Sequence, residues 1–328
     1  MKENSNISNI TIIGNTTWGQ AIATLINKEK AGVQILCRTE LEAKNRINKI
    51  DKLKPLPSSI QLSSDISTID NSELIIFAFP SQSMRSNLNI IYNNLNQNHK
   101  FLIASKGIEK TSGKRLSEVL TEEITFIKEK NISILSGPNL AKEIYENKTT
   151  STVIASKNFS LLNNIKTVIE SNKFKIYLSD DTIGVELGGA LKNIVTLGAG
   201  ICDGLNIGNN LKGAFISIAF SEIVKLALLA GAQTVTISGL SGLGDTLASS
   251  YSPLSRNRLA GQYLAEGYSI NTINKKINNI IEGFDTLYGA KALSKKLNTD
   301  HTFIDLLIDV FNKKKHPKEL LKNTIGNI

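Results

Sequence analysis

The chain has 328 residues, which suggests two domains at about 150 residues per domain. Hydrophobic residues make up 41% of it and charged residues 20%, a composition that is typical of globular proteins and excludes disordered or collagen-like chains. Lysine and arginine outnumber aspartate and glutamate by 38 to 29, a net charge of +9. Such a charge could serve nucleic acid, an anionic membrane surface or anionic small molecules, and because these cations are scattered and form no basic stripe interleaved with aromatic residues, nucleic acid is not expected.

The sequence holds no apolar run of about 18 residues, so no membrane-spanning helix is expected. A signal peptide is not expected either, since residues 1–6 are polar and no apolar core follows them. Cys37 and Cys202 lie far apart, outside any C-x-x-C pair, and the three histidines form no ligand-spaced group. We therefore predict a soluble cytoplasmic protein with no disulfide and no metal site.

The first elements along the chain are a strand, a glycine turn and a helix. Residues 9–13 are rich in β-branched side chains, Gly14 follows, and apolar residues at helical spacing continue to Ile26. We expect the helix to end near Gly32, because glycine readily adopts the left-handed conformation at a helix C-terminus. A second strand is predicted over 33–37, which completes one βαβ unit.

Strands and helices alternate to about residue 180, and helices alone are predicted beyond it. The further predicted strands are 73–79, 101–104, 132–135, 152–155 and 174–177. The predicted helices of the second half are 184–202, 212–230, 258–264, 270–281 and 290–297. Alternation of this kind indicates a parallel, doubly wound sheet covered on both faces. We predict an α/β N-terminal domain over 1–180 and an all-α C-terminal domain over 181–328.

The turn after the first strand carries a glycine pattern that is typical of dinucleotide-binding domains. It reads Gly14-Asn15-Thr16-Thr17-Trp18-Gly19, with Thr16 in place of the middle glycine of G-x-G-x-x-G. Gly14 permits the tight turn, Gly19 allows the helix to pack closely on the strand, and the first-turn amides suit a pyrophosphate. A strand-to-helix turn without a ligand is the alternative, but the position within a βαβ unit favours a Rossmann-type dinucleotide site.

The second strand ends at Cys37-Arg38-Thr39, where an NAD-specific site usually has an acidic residue for the ribose 2′-hydroxyl. An arginine at this place can pair with a 2′-phosphate, so the sequence predicts NADPH in preference to NADH. A solvated surface arginine is the alternative interpretation of Arg38.

A predicted helix in the second half carries a single lysine among small residues. Glycine costs about 1 kcal/mol in a helix interior relative to alanine, so several glycines in one helix indicate that another element approaches closely. Helical spacing places small and polar residues on one face. They are Gly188, Gly189, Lys192, Thr196, Ala199 and Asp203. Two interpretations stay open, namely tight helix packing with a lysine that reaches solvent, and a buried lysine that donates and accepts a proton.

Four further segments combine glycine with polar residues. They are Ser105-Lys106-Gly107, the segment 136–143, the segment 242–245 and Ser255-Arg256-Asn257-Arg258. The first two follow strands, at the carboxyl edge where ligands bind in open sheets. Ser255-Arg256-Asn257 precedes a predicted helix and offers amides and a guanidinium to an anion. A turn or an N-cap would explain each segment equally well.

Taken together and in this order, these motifs resemble the bacterial NAD(P)-dependent glycerol-3-phosphate dehydrogenases over nearly the whole chain. The resemblance implies a cytoplasmic oxidoreductase that interconverts dihydroxyacetone phosphate and sn-glycerol 3-phosphate with NADPH or NADH and supplies glycerophospholipid synthesis. It also implies a phosphorylated small-molecule substrate, no integral membrane association, and a homodimer as the common assembly of similar enzymes.

The resemblance assigns a role to each matching residue. Lys192 falls on the proton donor and acceptor, Lys106 on the lysine that orients the carbonyl group, and Asp245 on the carboxylate that positions Lys192. The implied substrate-binding residues are Lys106, Gly137, Asn139, Lys192, Asp245, Ser255, Arg256 and Asn257. The implied cofactor-binding residues are Gly14, Thr17, Trp18, Gly19, Arg38, Lys106, Ala141, Arg256, Ile280 and Glu282. Two departures from the family pattern are Thr16, which replaces a glycine and predicts weaker cofactor affinity, and Asn139, which replaces a serine or threonine.

Two other functions compete with this one. A two-domain dehydrogenase of 2-hydroxy or 3-hydroxy acids would need a cationic grip for a carboxylate in place of the Arg256-Asn257 segment. A non-catalytic nucleotide-binding protein would retain Gly14 and Gly19 but would have no need of the two lysines and Asp245.

Overall fold

The computed structural model describes residues 7–52 and 56–326, so the polar N-terminus discussed above lies outside the described residues. The chain divides into two compact units. The first, the sheet unit, comprises residues 1–105 and 116–182, and the second, the helical unit, comprises residues 106–115 and 183–328. The domain boundary after residue 180 stays a prediction.

Within its described residues, the sheet unit contains eight strands in one sheet, in the order β3-β2-β1-β4-β5-β6-β7-β8. The strands are β1 (Asn9–Ile13), β2 (Gly32–Leu36), β3 (Gln61–Ser63), β4 (Leu74–Phe77), β5 (Lys100–Ile103), β6 (Ile132–Ser136), β7 (Thr150–Ala155) and β8 (Phe174–Ser179). Neighbouring strands are parallel except for β6 and β7, which are antiparallel. All four residues of β4 are buried, as expected for a strand covered on both faces.

Helices connect the strands of the sheet unit. They are α1 (Thr17–Leu25), α2 (Glu40–Asn45), α3 (Met84–Ile91), α4 (Leu116–Glu123), α5 (Ala141–Tyr145) and α6 (Phe159–Ile169). Side-chain oxygens cap several of their N-termini, since Thr39 accepts from the Glu42 amide and Asn158 accepts from the Leu161 amide. This arrangement of helices around a largely parallel sheet confirms the predicted α/β fold class.

The prediction that the first helix ends near Gly32 with a left-handed glycine is wrong. Helix α1 ends at Leu25, and its C-cap residue Ile26 has an extended conformation. Gly32 is instead the first residue of β2, and its amide donates to the carbonyl of Ser8 at 2.8 Å. Strand β2 therefore begins one residue earlier than predicted. The hydrogen bonds of this strand, and not a helix end, determine the conformation of Gly32.

The helical unit contains the remaining helices of the described residues. They are α7 (Thr182–Gly204), α8 (Asn209–Leu229), α9 (Thr234–Ile237), α10 (Asp245–Tyr251), α11 (Arg256–Ala265), α12 (Ile270–Ile277), α13 (Glu282–Lys296), α14 (Thr302–Phe311) and α15 (Pro317–Ile325). A π-helical turn over Leu240–Gly244 precedes α10. The predicted all-α character is confirmed, although α12 ends at Ile277 rather than at residue 281, where Asn278 adopts a left-handed conformation.

Helix α7 is the central helix of this unit. It is long and apolar enough to cross a membrane by composition, but its most apolar stretch is completely buried inside the protein. Its residues Leu187, Leu191, Ile194 and Val195 belong to the hydrophobic core that α8, α13 and α14 also line. Such burial is typical of a core helix of a soluble protein.

The segment 106–115 packs in the helical unit although the residues on both sides of it belong to the sheet unit. Its two ends pair through a bridge between Ile108 and Arg115, and the Arg115 guanidinium lies 3.2 Å from the buried Glu186 carboxylate of α7. At Gly113, with φ of +67°, a Cβ would come within 2.4 Å of the Leu293 amide nitrogen. These contacts hold the segment, and with it Lys106, against the helices.

Candidate active site

Two lysines share one buried carboxylate in the helical unit. Lys192 of α7 donates from Nζ to Oδ1 of Asp245 at 2.9 Å, and Lys106 donates from Nζ to Oδ2 of the same residue at 2.7 Å. The side chain of Lys192 is 10% exposed and that of Asp245 is 4% exposed. The three residues to which the resemblance assigns the chemistry are therefore neighbours in space, although they lie up to 139 positions apart in the chain.

The close approach of two glycines brings Asp245 to Lys192. A Cβ on Gly188 of α7 would lie 3.1 Å from the backbone nitrogen of Gly242, and a Cβ on Gly242 would lie 2.0 Å from the carbonyl oxygen of Ile237. A larger residue at Gly188 would push the π-helical turn away from α7, and a larger residue at Gly242 would clash with the backbone of Ile237. Another element therefore packs closely against α7 at Gly188, as the number of glycines in this helix predicts.

Burial and charge act together on this cluster. Burial lowers the pKa of the Lys192 ammonium below that of a free lysine; the Asp245 carboxylate opposes this shift and the Lys106 ammonium adds to it. Burial also disfavours the Asp245 carboxylate, but the two lysines outweigh burial and hold its pKa below the ordinary value. Asp245 is therefore ionised at neutral pH, and its charge keeps a proton on a lysine that burial alone would tend to discharge.

Two residues beyond the predicted set complete the surroundings of Lys192. Ser249, one turn after Asp245 on α10, accepts a hydrogen bond from Nζ of Lys192 at 2.7 Å and donates to Oδ1 of Asp245 at 3.1 Å. Asn193, which follows Lys192, is buried and accepts from Nδ2 of Asn257 at 2.8 Å. The sequence could have identified Ser249 as a site residue from its position four residues after Asp245, because residues i and i+4 share one helix face.

The predicted phosphate segment forms the N-terminus of α11. Ser255 is its N-cap residue and accepts from the Arg258 amide at 3.3 Å. Asn257 accepts from the Gly283 amide at 3.0 Å, so its side chain joins the starts of α11 and α13 to Asn193 of α7. The amides of the first helical turn have no intrahelical partner, which suits them to an anion.

Arg256 forms hydrogen bonds with the segment just before α13, where the predicted cofactor residue Ile280 lies. Its Nη1 donates to Oδ1 of Asn279 at 2.6 Å and to the carbonyl of Ile280 at 3.2 Å. Ile280 is 48% exposed, and Glu282 is the first residue of α13. Arg256, Ile280 and Glu282 are therefore neighbours within the helical unit, next to the phosphate segment.

The glycine turn of the sheet unit has the tight geometry that its sequence predicts. Gly14 has φ of +116°, and a Cβ there would lie 2.7 Å from the carbonyl oxygen of Ala78. A Cβ on Gly19 would lie 2.1 Å from the carbonyl oxygen of Gly14. Thr17 begins α1, and Trp18 donates from Nε1 to the carbonyl of Ala104 at 2.8 Å. A cradle that a Cβ would fill, followed by a helix N-terminus, fits a dinucleotide pyrophosphate.

Thr16, the departure from the glycine pattern, is the N-cap residue of α1. Its hydroxyl accepts from the Gly19 amide at 2.9 Å and donates to the carbonyl of Ala78 at 2.7 Å. The Thr16 hydroxyl therefore accepts one hydrogen bond and donates another within the protein, which accounts for a threonine at this position.

Arg38 lies just beyond β2 and is exposed. Its backbone amide donates to Oε2 of Glu42 at 3.1 Å, while Oε1 of Glu42 accepts from Lys49 at 2.7 Å and from Asn15 of the glycine turn at 3.2 Å. Partial burial opposes ionisation of Glu42, but the hydrogen bonds from Lys49 and from the Arg38 amide hold its pKa below the ordinary value. Glu42 thus ties the end of β2 to the glycine turn.

The remaining predicted residues of the sheet unit follow β6. A Cβ on Gly137 would lie 2.9 Å from the Cα atom of Thr152, so the turn passes close to β7. Asn139 accepts from the Thr152 hydroxyl at 2.9 Å and donates to the carbonyl of Ser151 at 3.3 Å. Ala141 is the first residue of α5. The asparagine that departs from the family pattern is thus bonded to β7.

Comparison with known proteins decides the family. Residues 9–162 match the family described as NAD-dependent glycerol-3-phosphate dehydrogenase N-terminus, and residues 181–322 match the family described as NAD-dependent glycerol-3-phosphate dehydrogenase C-terminus. The chain belongs to the NAD-dependent glycerol-3-phosphate dehydrogenase family. It is therefore an NAD(P)-dependent oxidoreductase, as the sequence predicts.

Individual members of the glycerol-3-phosphate dehydrogenase family align along nearly the whole chain. A glycerol-3-phosphate dehydrogenase (NAD(P)+) from Dehalococcoides mccartyi is 36% identical over 320 residues, which cover 95% of this chain and 89% of the relative. The corresponding protein from Fusobacterium nucleatum is 33% identical over 318 residues, which cover 94% of both chains. The crystal structure of glycerol-3-phosphate dehydrogenase from Coxiella burnetii superimposes with a TM-score of 0.90 at 25% identity and covers 97% of this chain and 98% of that chain.

Membership of the glycerol-3-phosphate dehydrogenase family decides between the functions left open by the sequence. The hydroxy-acid dehydrogenase and the non-catalytic nucleotide-binding protein are both set aside. A cofactor of the NAD(P) type and a phosphorylated small-molecule substrate are consistent with the family.

Proposed function

We propose that this dehydrogenase reversibly reduces dihydroxyacetone phosphate to sn-glycerol 3-phosphate, with Lys192 as proton donor and acceptor. The observation that carries the proposal is the buried Lys192 ammonium, held between Asp245 and Ser249. A buried ammonium with a fixed direction suits a carbonyl reduction, because it can stabilise the negative charge that develops on the carbonyl oxygen and supply the proton.

Four residues of the helical unit have separate roles in the reduction. When bound, the nicotinamide supplies a hydride to the ketone carbon. Lys192 stabilises the charge on the carbonyl oxygen and transfers its proton to that oxygen, while Lys106 orients the carbonyl group. Asp245 holds both ammonium groups at 2.7 to 2.9 Å, and Ser249 fixes the direction of the Lys192 Nζ atom. In the reverse direction, neutral Lys192 accepts the proton of the alcohol.

The phosphate of the substrate is bound by the start of α11. Its first-turn amides, the N-cap residue Ser255, and the side chains of Arg256 and Asn257 supply hydrogen bonds and positive charge. The contributions of Gly137 and Asn139 to substrate binding rest on the resemblance alone.

The dinucleotide is held by the glycine turn and by neighbouring residues of the family pattern. Gly14 and Gly19 form the turn, Thr17 and Trp18 lie in the first turn of α1, and Arg38 pairs with the 2′-phosphate of NADPH, the preferred cofactor. The further cofactor contacts in the proposal are Lys106, Ala141, Arg256, Ile280 and Glu282.

Four further parts complete the proposal. Residues 1–180 form the dinucleotide-binding domain and residues 181–328 the substrate-binding and catalytic domain. The enzyme is cytoplasmic, it assembles as a homodimer, and its product supplies glycerophospholipid synthesis. Light scattering of the purified protein tests the assembly, for which a single species of twice the 35.8 kDa chain mass is expected.

A substrate panel at fixed NADPH concentration tests the reaction. Absorbance at the NADPH band should fall rapidly with dihydroxyacetone phosphate and by less than about 1% of that rate with 2-oxo acids of similar size, because a site built for one anionic group rejects substrates that leave it unpaired. Turnover with a 2-oxo acid and none with dihydroxyacetone phosphate would contradict the proposal.

A further inference from the structure

Asp203, near the end of α7, accepts hydrogen bonds from basic side chains on two other helices. Lys212 of α8 donates to its two carboxylate oxygens at 2.8 and 2.9 Å, and Nε of Arg258 in α11 donates to Oδ2 at 2.5 Å. The Lys212 side chain is 4% exposed and that of Asp203 is 20% exposed. One largely buried carboxylate therefore joins α7, α8 and α11, about 16 Å along α7 from Lys192 at 1.5 Å per residue.

The same cluster reaches the helix that carries Asp245. The Lys212 ammonium lies 4.6 Å from the centre of the Tyr251 ring, a cation–π distance. Tyr251 is the last residue of α10, whose first residue is Asp245. Asp203 and Lys212 thus touch the helices that bear the proposed acid–base lysine, its carboxylate and the phosphate segment, yet neither has a role in the proposed chemistry.

The backbones of α7 and α11 are in direct contact beside this cluster. A Cβ on Gly200 of α7 would lie 1.9 Å from the carbonyl oxygen of Arg258, and a Cβ on Gly261 of α11 would lie 1.9 Å from the carbonyl oxygen of Leu197. Contact without side chains between the helices fixes how close they lie. Arg258 is therefore held to α7 through its carbonyl oxygen, at Gly200, and through its guanidinium, at Asp203.

Arg258 belongs to the helical turn that is proposed to bind the phosphate. Its amide donates to the N-cap hydroxyl of Ser255, and Arg256 and Asn257 lie between the two. Because the guanidinium of Arg258 is bound by Asp203, it is directed along α7. The ion pair and the backbone contact at Gly200 together restrict how α11 lies on α7, and the direction of the first-turn amides follows from the orientation of α11.

We propose that Asp203 is a positioning residue, which orients the first turn of α11 through Arg258 so that Arg256, Asn257 and the turn's amides meet the substrate phosphate. This inference rests on the proposed function. Asp203 does not touch the substrate, so it acts on the binding energy drawn from the phosphate, the part of the substrate remote from the reacting carbon. Loss of the Asp203–Arg258 ion pair should therefore reduce the factor by which the phosphate raises kcat/KM of a substrate.

The test compares dihydroxyacetone phosphate with dihydroxyacetone, which lacks the phosphate, in the full-length enzyme. Arg258→Gln is the main variant, because Asp203 keeps Lys212 as its partner and no buried charge is left unpaired. Asp203→Asn is the second variant. We expect kcat/KM for dihydroxyacetone phosphate to fall about 10- to 100-fold, mostly through KM, because a small misplacement of a binding group is enough for such a loss. We expect kcat/KM for dihydroxyacetone to change less than about twofold.

Asp305→Asn is the matched control, since it removes an aspartate–lysine pair of 2.7 Å with Lys291 that joins α13 and α14. It should leave both substrates unchanged. An equal loss with both substrates in Arg258→Gln, or no loss with either, overturns the inference while the proposed function stands. A wild-type enzyme that does not turn over dihydroxyacetone phosphate refutes the proposed function and the inference together.

Discussion

The two units form their candidate binding groups in different ways, since the sheet unit relies on its backbone and the helical unit on charged side chains. In the sheet unit, the glycine turn depends on backbone geometry, with Gly14 in a positive φ conformation and Gly19 pressed against its carbonyl oxygen. In the helical unit, Lys192, Asp245 and Lys106 depend on ionised side chains within hydrogen-bond distance of each other. Backbone amides keep their polarity at every pH, whereas an ionic cluster titrates. The first group should therefore respond to added volume and the second to changes of charge.

Among the variants that leave both lysines in place, the largest expected effect comes from removing the charge of Asp245. In Asp245→Asn, Lys106 and Lys192 lose their shared counter-charge, so the proton on Lys192 becomes less stable and the ammonium is no longer directed. We expect kcat for dihydroxyacetone phosphate reduction to fall about 100-fold or more. Steady-state assays measure this. Asp285→Asn, which removes a more exposed partner of Lys110 at 3.0 Å, is the control and should retain nearly the full rate.

The same variant should change the pH dependence. Reduction needs protonated Lys192, so its rate declines as the pH rises through the pKa of Lys192, which burial already lowers. Since the Asp245 carboxylate raises that pKa, its removal should move the alkaline limb of the rate profile to lower pH. A limb that stays in place would show that Lys192 is not the titrating group.

Cofactor preference should depend on Arg38. If this guanidinium pairs with the 2′-phosphate, Arg38→Ala should raise KM for NADPH about 10- to 100-fold, as expected for loss of hydrogen bonds to a charged group, and should leave KM for NADH nearly unchanged. The ratio of kcat/KM for the two cofactors measures the effect. An unchanged ratio would indicate a solvated surface arginine.

Two glycine substitutions should shift stability in opposite directions. Gly14→Ala places a Cβ at φ of +116° and 2.7 Å from a carbonyl oxygen, so the free energy of unfolding should fall by about 1 to 3 kcal/mol. Gly213→Ala lies within α8 where a Cβ meets no atom within 4 Å, so it should stabilise the helix by about 1 kcal/mol. Denaturant unfolding of both variants beside the wild type compares them directly. Equal effects would show that the turn tolerates volume.

The smallest effect is expected at Thr16. Because its hydroxyl caps α1 and binds the Ala78 carbonyl, Thr16→Gly should not raise cofactor affinity, and KM for NADPH should change less than about twofold, since a glycine N-cap costs only a few tenths of a kcal/mol. A clear gain in affinity would mean that the threonine side chain does hinder the dinucleotide, as its place in the glycine pattern predicts.

The fold was predictable where the hydrophobic pattern is strong, as in the unbroken apolar run of β4 and the long apolar helix α7. The strand β3 has only three residues without an apolar run, and the antiparallel direction of β7 leaves no mark in an alternating pattern. Gly32 was misplaced because a glycine after a helical pattern suits both a helix end and a strand start. Local sequence cannot distinguish these two.

The site was predictable where motifs are distinctive, as for Lys192 and Asp245, and their contact is a result of tertiary packing. Ser249 belongs to no motif; its spacing of four residues from Asp245 places both on one helix face, but its distance of 2.7 Å from Lys192 comes from tertiary packing. Asp203 was placed on the lysine face of α7, but its partners come from α8 and α11, and no spacing within α7 could identify them.

The most direct test of the central claim is a single-turnover measurement on Lys192→Ala with saturating NADPH and dihydroxyacetone phosphate, with and without added methylammonium. Lys225→Ala, which removes an exposed lysine of α8, is the matched control. If Lys192 donates the proton, the reduction should slow about 1,000-fold or more with NADPH binding retained, and methylammonium should restore part of the rate in proportion to its concentration. A Lys192→Ala enzyme that reduces the substrate at the wild-type rate would contradict the account.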